Sequence, residues 1–132
     1  MQPVDDKALE EAAWAAFVRR LGDHLAGQWP AMPERLGDRY DAFIDLAVQQ
    51  ATQRGFANTA AIARFVNLWF VWGPAWHDKP GFEWAQGLLA APPEREWVTA
   101  HQLVQRSLAE LQRLPGARIE PQALLAADER VI

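Results

Sequence analysis

Apolar side chains recur at helical spacing along most of this chain, and glycines and prolines mark where each run stops. The strongest run is Phe65-Val-Asn-Leu-Trp-Phe-Val-Trp72, which ends at Gly73-Pro74. No charged residue lies between Arg64 and Asp78, so at least two faces of this helix leave water. That makes it the expected central helix.

The other runs arrange themselves around it. Leu9, Ala13, Phe17, Leu21 and Leu25 recur at spacing four, with Trp14 and Val18 widening the stripe and Glu10, Glu11, Arg19 and Arg20 opposite. They predict a first helix capped by Asp5 or Asp6 and weakened by Gly22 and Gly27. Gln28-Trp-Pro-Ala-Met-Pro33 breaks it, with Trp29 anchoring the connection. Pro33 suits a first helical position, and after Gly37 and a cap at Asp38 the pattern Tyr40, Phe43, Ile44, Ala47, Val48, Ala51 predicts a second helix. Gly55 stands where a left-handed C-terminal cap belongs, Phe56 packs back over it, and Asn58 or Thr59 caps the third helix. A connection of about four residues makes these two helices an antiparallel hairpin.

A shorter helix is expected from near Asp78 or Pro80, burying Phe82, Ala85, Leu88 and Leu89 and stopping at Ala91-Pro-Pro93. Pro93 then opens a long helix through Trp97, Ala100, Val104, Leu108 and Leu111, with Glu94 and Glu96 favourable against its dipole. Pro115-Gly116 ends it, a last turn spans Pro121 to Ala127, and Val131 and Ile132 close the chain. Strand alternation and repeats are absent from the pattern. The expectation is all-α: a single domain over residues 1–132, a compact bundle of about five helices organised on the hairpin of helices two and three. Residues 1–5 and 117–132 are read as tails.

Composition narrows the function classes. Half of the 132 residues are apolar and 23% charged, a globular balance. A net charge of −4 and the lack of a basic stripe argue against nucleic acid. Without cysteine there is neither a disulfide nor a thiolate zinc site, which fits a reducing compartment. The N-terminal Met-Gln-Pro-Val-Asp-Asp is acidic where a signal peptide is basic, and the apolar runs fall short of the roughly 20 residues a bilayer requires. The reading is a cytoplasmic protein without membrane insertion.

Candidate chemistry is sparse. His24, His77 and His101 fall in three different elements without the spacing of a metal motif, so no metal and no cofactor are expected. His101 reads as a core histidine, and His77 beside Asp78 reads as ordering a corner through hydrogen bonds. Asp38, Asp41 and Asp45 share a helical face, as an acid pair would, but Arg35 and Arg39 stand within a turn to neutralise them. A solvated face is the expectation there. No catalytic constellation emerges, and the chain reads as a binding protein rather than an enzyme. Four of its seven tryptophans, Trp69, Trp72, Trp76 and Trp84, crowd one corner. Most must be core, each buried indole wanting a partner for its N–H. One or two of Trp29, Trp76 and Trp84 are expected at the surface, and Trp76, Phe82 and Trp84 are the predicted partner-binding residues.

Trp29-Pro30, the run Ala47 to Gly55-Phe56, Ala63-Arg-Phe-Val-Asn-Leu, Gly73-Pro-Ala-Trp76, Pro80, and Trp84 through Leu88-Leu89 together resemble the helical C-terminal part of the DUF4123 adaptor proteins of bacterial type VI secretion. The likeness covers roughly residues 17 to 90 and lies in spacing more than identity. Trp76 stands where the family has Phe, and the family's N-terminal β-containing domain has no counterpart in this sequence. Family members act as chaperones that load an effector onto a spike protein, so the resemblance implies binding rather than catalysis. Three readings follow: a small adaptor or co-chaperone for a secreted effector or spike component; an immunity-type protein whose acidic surface masks a toxin; or a ligand-binding or enzymatic domain using the His77-Asp78 corner.

Overall fold

The computed structural model describes residues 6–113, and it is all-α: no strand occurs among them. The helices are α1 (Asp6–Gln28), α2 (Ala31–Leu36), α3 (Tyr40–Gln53), α4 (Thr59–Trp72), α5 (Glu83–Leu89) and α6 (Glu96–Arg113). Single 3₁₀ turns at Gly37–Arg39, Trp76–Asp78 and Pro93–Arg95 join them. The expected cap at Asp5, the stop at Pro115-Gly116, the turn at Pro121 to Ala127 and the tails at 1–5 and 117–132 lie outside the described residues.

The α3–α4 hairpin forms as its local chemistry dictates. Gly55 adopts φ +95°, and the Phe56 N–H reaches back to the Ala51 carbonyl at 3.1 Å, closing the end of α3. Phe56 is buried and meets Phe65 edge-on at 5.6 Å. Asn58 is the N-cap of α4, its Oδ1 accepting from the N–H groups of Ala60 and Ala61 at 2.9 and 3.2 Å. From Ala61 to Phe70 every residue of α4 except Arg64 is buried, because α4 packs on α3, on α6 and on the second half of α1. It is the central helix.

α1 runs on through Gly22 and Gly27 to Gln28. Two features depart from the pattern. Asp38 does not cap α3: it lies within a 3₁₀ turn, and no side-chain bond caps that helix. The body buries Phe17, Leu21 and Leu25 of α1, yet every residue from 7 to 16 is exposed, Leu9 and Ala13 included. Exposure on all sides of the helix shows that this half of α1 runs beyond the packed body, and Leu9 and Ala13 with it.

Candidate functional site

The corner after α4 is built by backbone that few residues adopt. Gly73 takes φ +99°, and Ala75, a residue with a Cβ, sits in the left-handed region at φ 52°. This strained entry, at a cost of order 1 kcal/mol or more, turns the 3₁₀ segment so that Trp76 and His77 point inward. Trp76 is fully buried, with Phe82, Trp84 and His77 around its ring at 5.3, 5.7 and 5.8 Å. The expectation that Trp76 anchors a partner is corrected accordingly: it has no accessible surface, and it holds Phe82 and Trp84 in place from beneath.

Phe82 and Trp84 themselves are half-buried at the margin of the core. Phe82 leans on Trp72 at 5.1 Å, and the Arg106 guanidinium lies over the Trp84 ring at 5.4 Å while its Nε donates to Glu110 at 3.0 Å. Of the predicted set, these two keep a face toward solvent. Trp29 is also half-buried, its indole N–H donating to the Asn67 side chain at 2.8 Å.

The exposed indoles lie elsewhere, on residues assigned to core stripes. Trp14 is 40% and Trp97 56% exposed. Val98, 41% exposed, follows Trp97 at the start of α6, and the Arg64 guanidinium of α4 lies over the Trp97 ring at 5.4 Å. Spacing could not show this, because Trp97 stands three residues before buried Ala100 on the same stripe. What exposes it is its place in the first turn of α6.

His77 is fully buried and faces Phe65 at 5.5 Å. Its Nδ1 is 3.1 Å from Arg54 Nη2 and 3.3 Å from Asp78 Oδ1, and Arg54 donates to Asp78 at 3.2 Å. Burial holds the imidazole pKa below its usual value, Arg54 adds to that, and Asp78 opposes it. Arg54 thus bridges the Nδ1 atom and the Asp78 carboxylate, while Nε2 is buried without a partner among the described residues. Gln86 closes the corner by donating to the His77 carbonyl at 3.1 Å. The reading of His77 as a residue that orders the corner holds, and the ordering cation is Arg54 at the end of α3.

The remaining candidates stay apart. His101 is exposed, not in the core, and His24 is half-buried on α1. Among the described residues no group of three or more acidic or histidine side chains is placed to hold a metal ion. Asp38, Asp41 and Asp45 are exposed, and no ion pair joins them to Arg35 or Arg39 among the described residues. No described helix is long and apolar enough to cross a membrane. Comparison with models of protein families, with characterised proteins and with solved structures found no match.

The pairing of indole N–H groups also differs from expectation. Trp72 donates to the buried Ser107 hydroxyl at 3.0 Å, but the Nε1 atoms of Trp69 and Trp76 are buried without a partner among the described residues. Each such orphan costs about 1–3 kcal/mol, which the packing of these rings must exceed.

Proposed function

We propose that this protein is a protein-binding module, an adaptor or co-chaperone rather than an enzyme, acting in the cytoplasm. The observation that carries the reading is Trp97: an exposed indole beside exposed Val98, held in orientation by Arg64, in the first turn of a long helix. Tryptophan and arginine are the side chains most often found at the energetic centre of protein interfaces. Stacking on Arg64 reduces the rotamer freedom that the ring would lose on binding. Phe82 and Trp84, backed by buried Trp76 and crossed by Arg106, offer a second patch of the same kind.

The likeness of residues 17 to 90 to type VI secretion adaptors favours a secreted effector or spike component as the partner. An immunity role is the second reading, favoured by the net charge of −4, which suits a basic toxin. The products of neighbouring genes, co-expressed and co-purified with this chain, separate the two. An adaptor forms a complex with an effector that also engages a spike protein. An immunity protein forms a complex that abolishes a toxin's activity. If Trp97→Ala and Trp84→Ala variants, both folded, recover every such partner as well as the wild type does, neither patch is the contact surface.

A further inference from the structure

Away from the corner, α1 and α3 form a surface that the readings above do not use. The Tyr40 hydroxyl donates to the Gly22 carbonyl and fastens the start of α3 to the middle of α1. Beside this joint runs a groove of about 540 Å³ between the two helices. Its apolar lining comes from Trp14, Val18 and Ile44. Trp14, 40% exposed, leans on buried Phe17 at a ring distance of 5.5 Å, so the indole is supported from below and open from above. Turn by turn toward its N-terminus, α1 continues past the body with an exposed face that includes Leu9.

The rim of the groove is anionic. Asp23, Asp41 and Asp45 line it against a single guanidinium, Arg19, and none of the three carboxylates is ion-paired among the described residues. Their field is felt inside the joint. Burial first, and then the charges of Asp23 and Asp41, push the Tyr40 hydroxyl pKa up to about 12. Apolar walls under an unpaired acidic rim match a segment that is apolar on one side and cationic on the other. An α-helix about 10–12 Å across with its side chains lies along such a groove rather than inside it.

We propose that the α1–α3 groove is a docking site for a basic amphipathic helix of a partner protein, whose apolar side chains cover Trp14 and Val18 while its Lys or Arg side chains face Asp23, Asp41 and Asp45. Charge complementarity selects this occupant over the two nearer at hand. A second copy of the chain brings a net charge of −4, and residues 114–132 carry Glu120, Asp128 and Glu129 against Arg118 and Arg130. Neither carries the excess of positive charge that the rim favours. This surface is distinct from the Trp97 and Trp84 patches, so it is tested without reference to them.

The test uses the full chain and a fluorescein-labelled amphipathic peptide of about five helical turns, Leu on one face and Lys on the other, beside the same peptide with Glu in place of Lys. Fluorescence anisotropy is read at low and high salt, with circular dichroism confirming that each variant is folded. The Lys peptide is expected to bind and the Glu peptide not, with affinity falling as salt rises. Trp14→Ala, and separately the double change Asp41→Asn with Asp45→Asn, should each weaken binding about tenfold or more. Glu94→Lys alters net charge as much as the double change but lies on the turn before α6, and it should leave affinity within about twofold. The inference is overturned if the full chain does not bind the Lys peptide, if the double change has no effect, or if Glu94→Lys weakens binding equally. A wild-type dimer that Trp14→Ala dissolves would assign the groove to a second copy instead. Binding that appears only after removal of residues 114–132 would assign it to the chain's own tail.

Discussion

Glu96, in the first turn of α6, accepts hydrogen bonds from the backbone N–H groups of Ala57 and Asn58 at 2.6 and 3.0 Å. Its carboxylate thus sits at the N-terminus of α4, where the helix dipole favours a negative charge, and it pins the α3–α4 loop to the start of α6. Gly55 completes the joint: a Cβ there would lie 3.0 Å from the Pro93 ring, so loop and 3₁₀ turn meet without room for a side chain. Glu96 thus adds a polar joint between the central hairpin and the last long helix to the packing of their apolar faces.

Glu96→Ala should therefore destabilise the protein by about 1–3 kcal/mol, since two backbone donors lose a charged acceptor. For a domain of this size each kcal/mol lowers the melting temperature by roughly 4 °C. Glu96→Gln keeps one acceptor oxygen and should lose about half as much. A calorimetric scan in which Glu96→Ala melts with the wild type would show that the loop is held by packing alone.

What could be read from the sequence was local. Gly55, Phe56 and Asn58 announced the hairpin because each acts within a few residues of itself, and the 3.6-residue period marked α3, α4 and α6. Glu96 gave no comparable signal: its partners are 38 and 39 residues away, and near the start of its own helix it already had a satisfactory explanation. The burial of Trp76 depends on Ala75 in a left-handed conformation, which no pattern of apolar residues encodes. Leu9 and Trp14 continue the apolar stripe of α1 beyond the end of the core that covers it. Asn67, in the middle of an apolar helix, needed Trp29 from the α1–α2 connection to make sense of it.

The bond between Trp72 and Ser107 ties α4 to α6 within the core. Ser107 is fully buried, so Trp72→Phe strands its hydroxyl and should cost about 1–3 kcal/mol. Ser107→Ala strands the indole N–H and should cost a similar amount. The double variant removes both groups and should fall short of the sum of the two by about 1 kcal/mol. Urea denaturation of the four proteins tests this, and strict additivity would mean that the bond contributes nothing.

Stability should also depend on pH through His77. Its pKa is lowered on folding, so as pH falls below the unfolded value of about 6.5 the unfolded chain takes up the proton first. The contribution of the neutral ring is complete above that value and is lost as pH falls through the folded pKa. Between about pH 7 and pH 5.5, above the range of ordinary carboxylates, the wild type should lose stability more steeply than His77→Gln. Parallel pH profiles for the two would show that the buried ring does not sense pH.

The tryptophans make opposite forecasts according to where they stand, and that contrast tests the functional reading most directly. Trp76 and Trp69 are at most 1% exposed, so replacing either by Ala opens a cavity and should cost about 3–5 kcal/mol, a large part of a small domain's stability. Trp97 is more than half exposed, and Trp97→Ala should cost about 0.5–1 kcal/mol, the stacking with Arg64. If Trp97 anchors a partner, its loss should lower affinity by about 2 kcal/mol or more, roughly thirtyfold, while the melting temperature barely moves. Trp84 lies between these limits, half-buried over Trp76 with Arg106 above it, and its truncation should reduce both stability and binding. Melting curves and affinities for the same set of variants separate the cases. A Trp97→Ala protein that melts several degrees lower and binds in proportion to its folded fraction would make Trp97 a structural residue and remove the observation on which the adaptor reading rests.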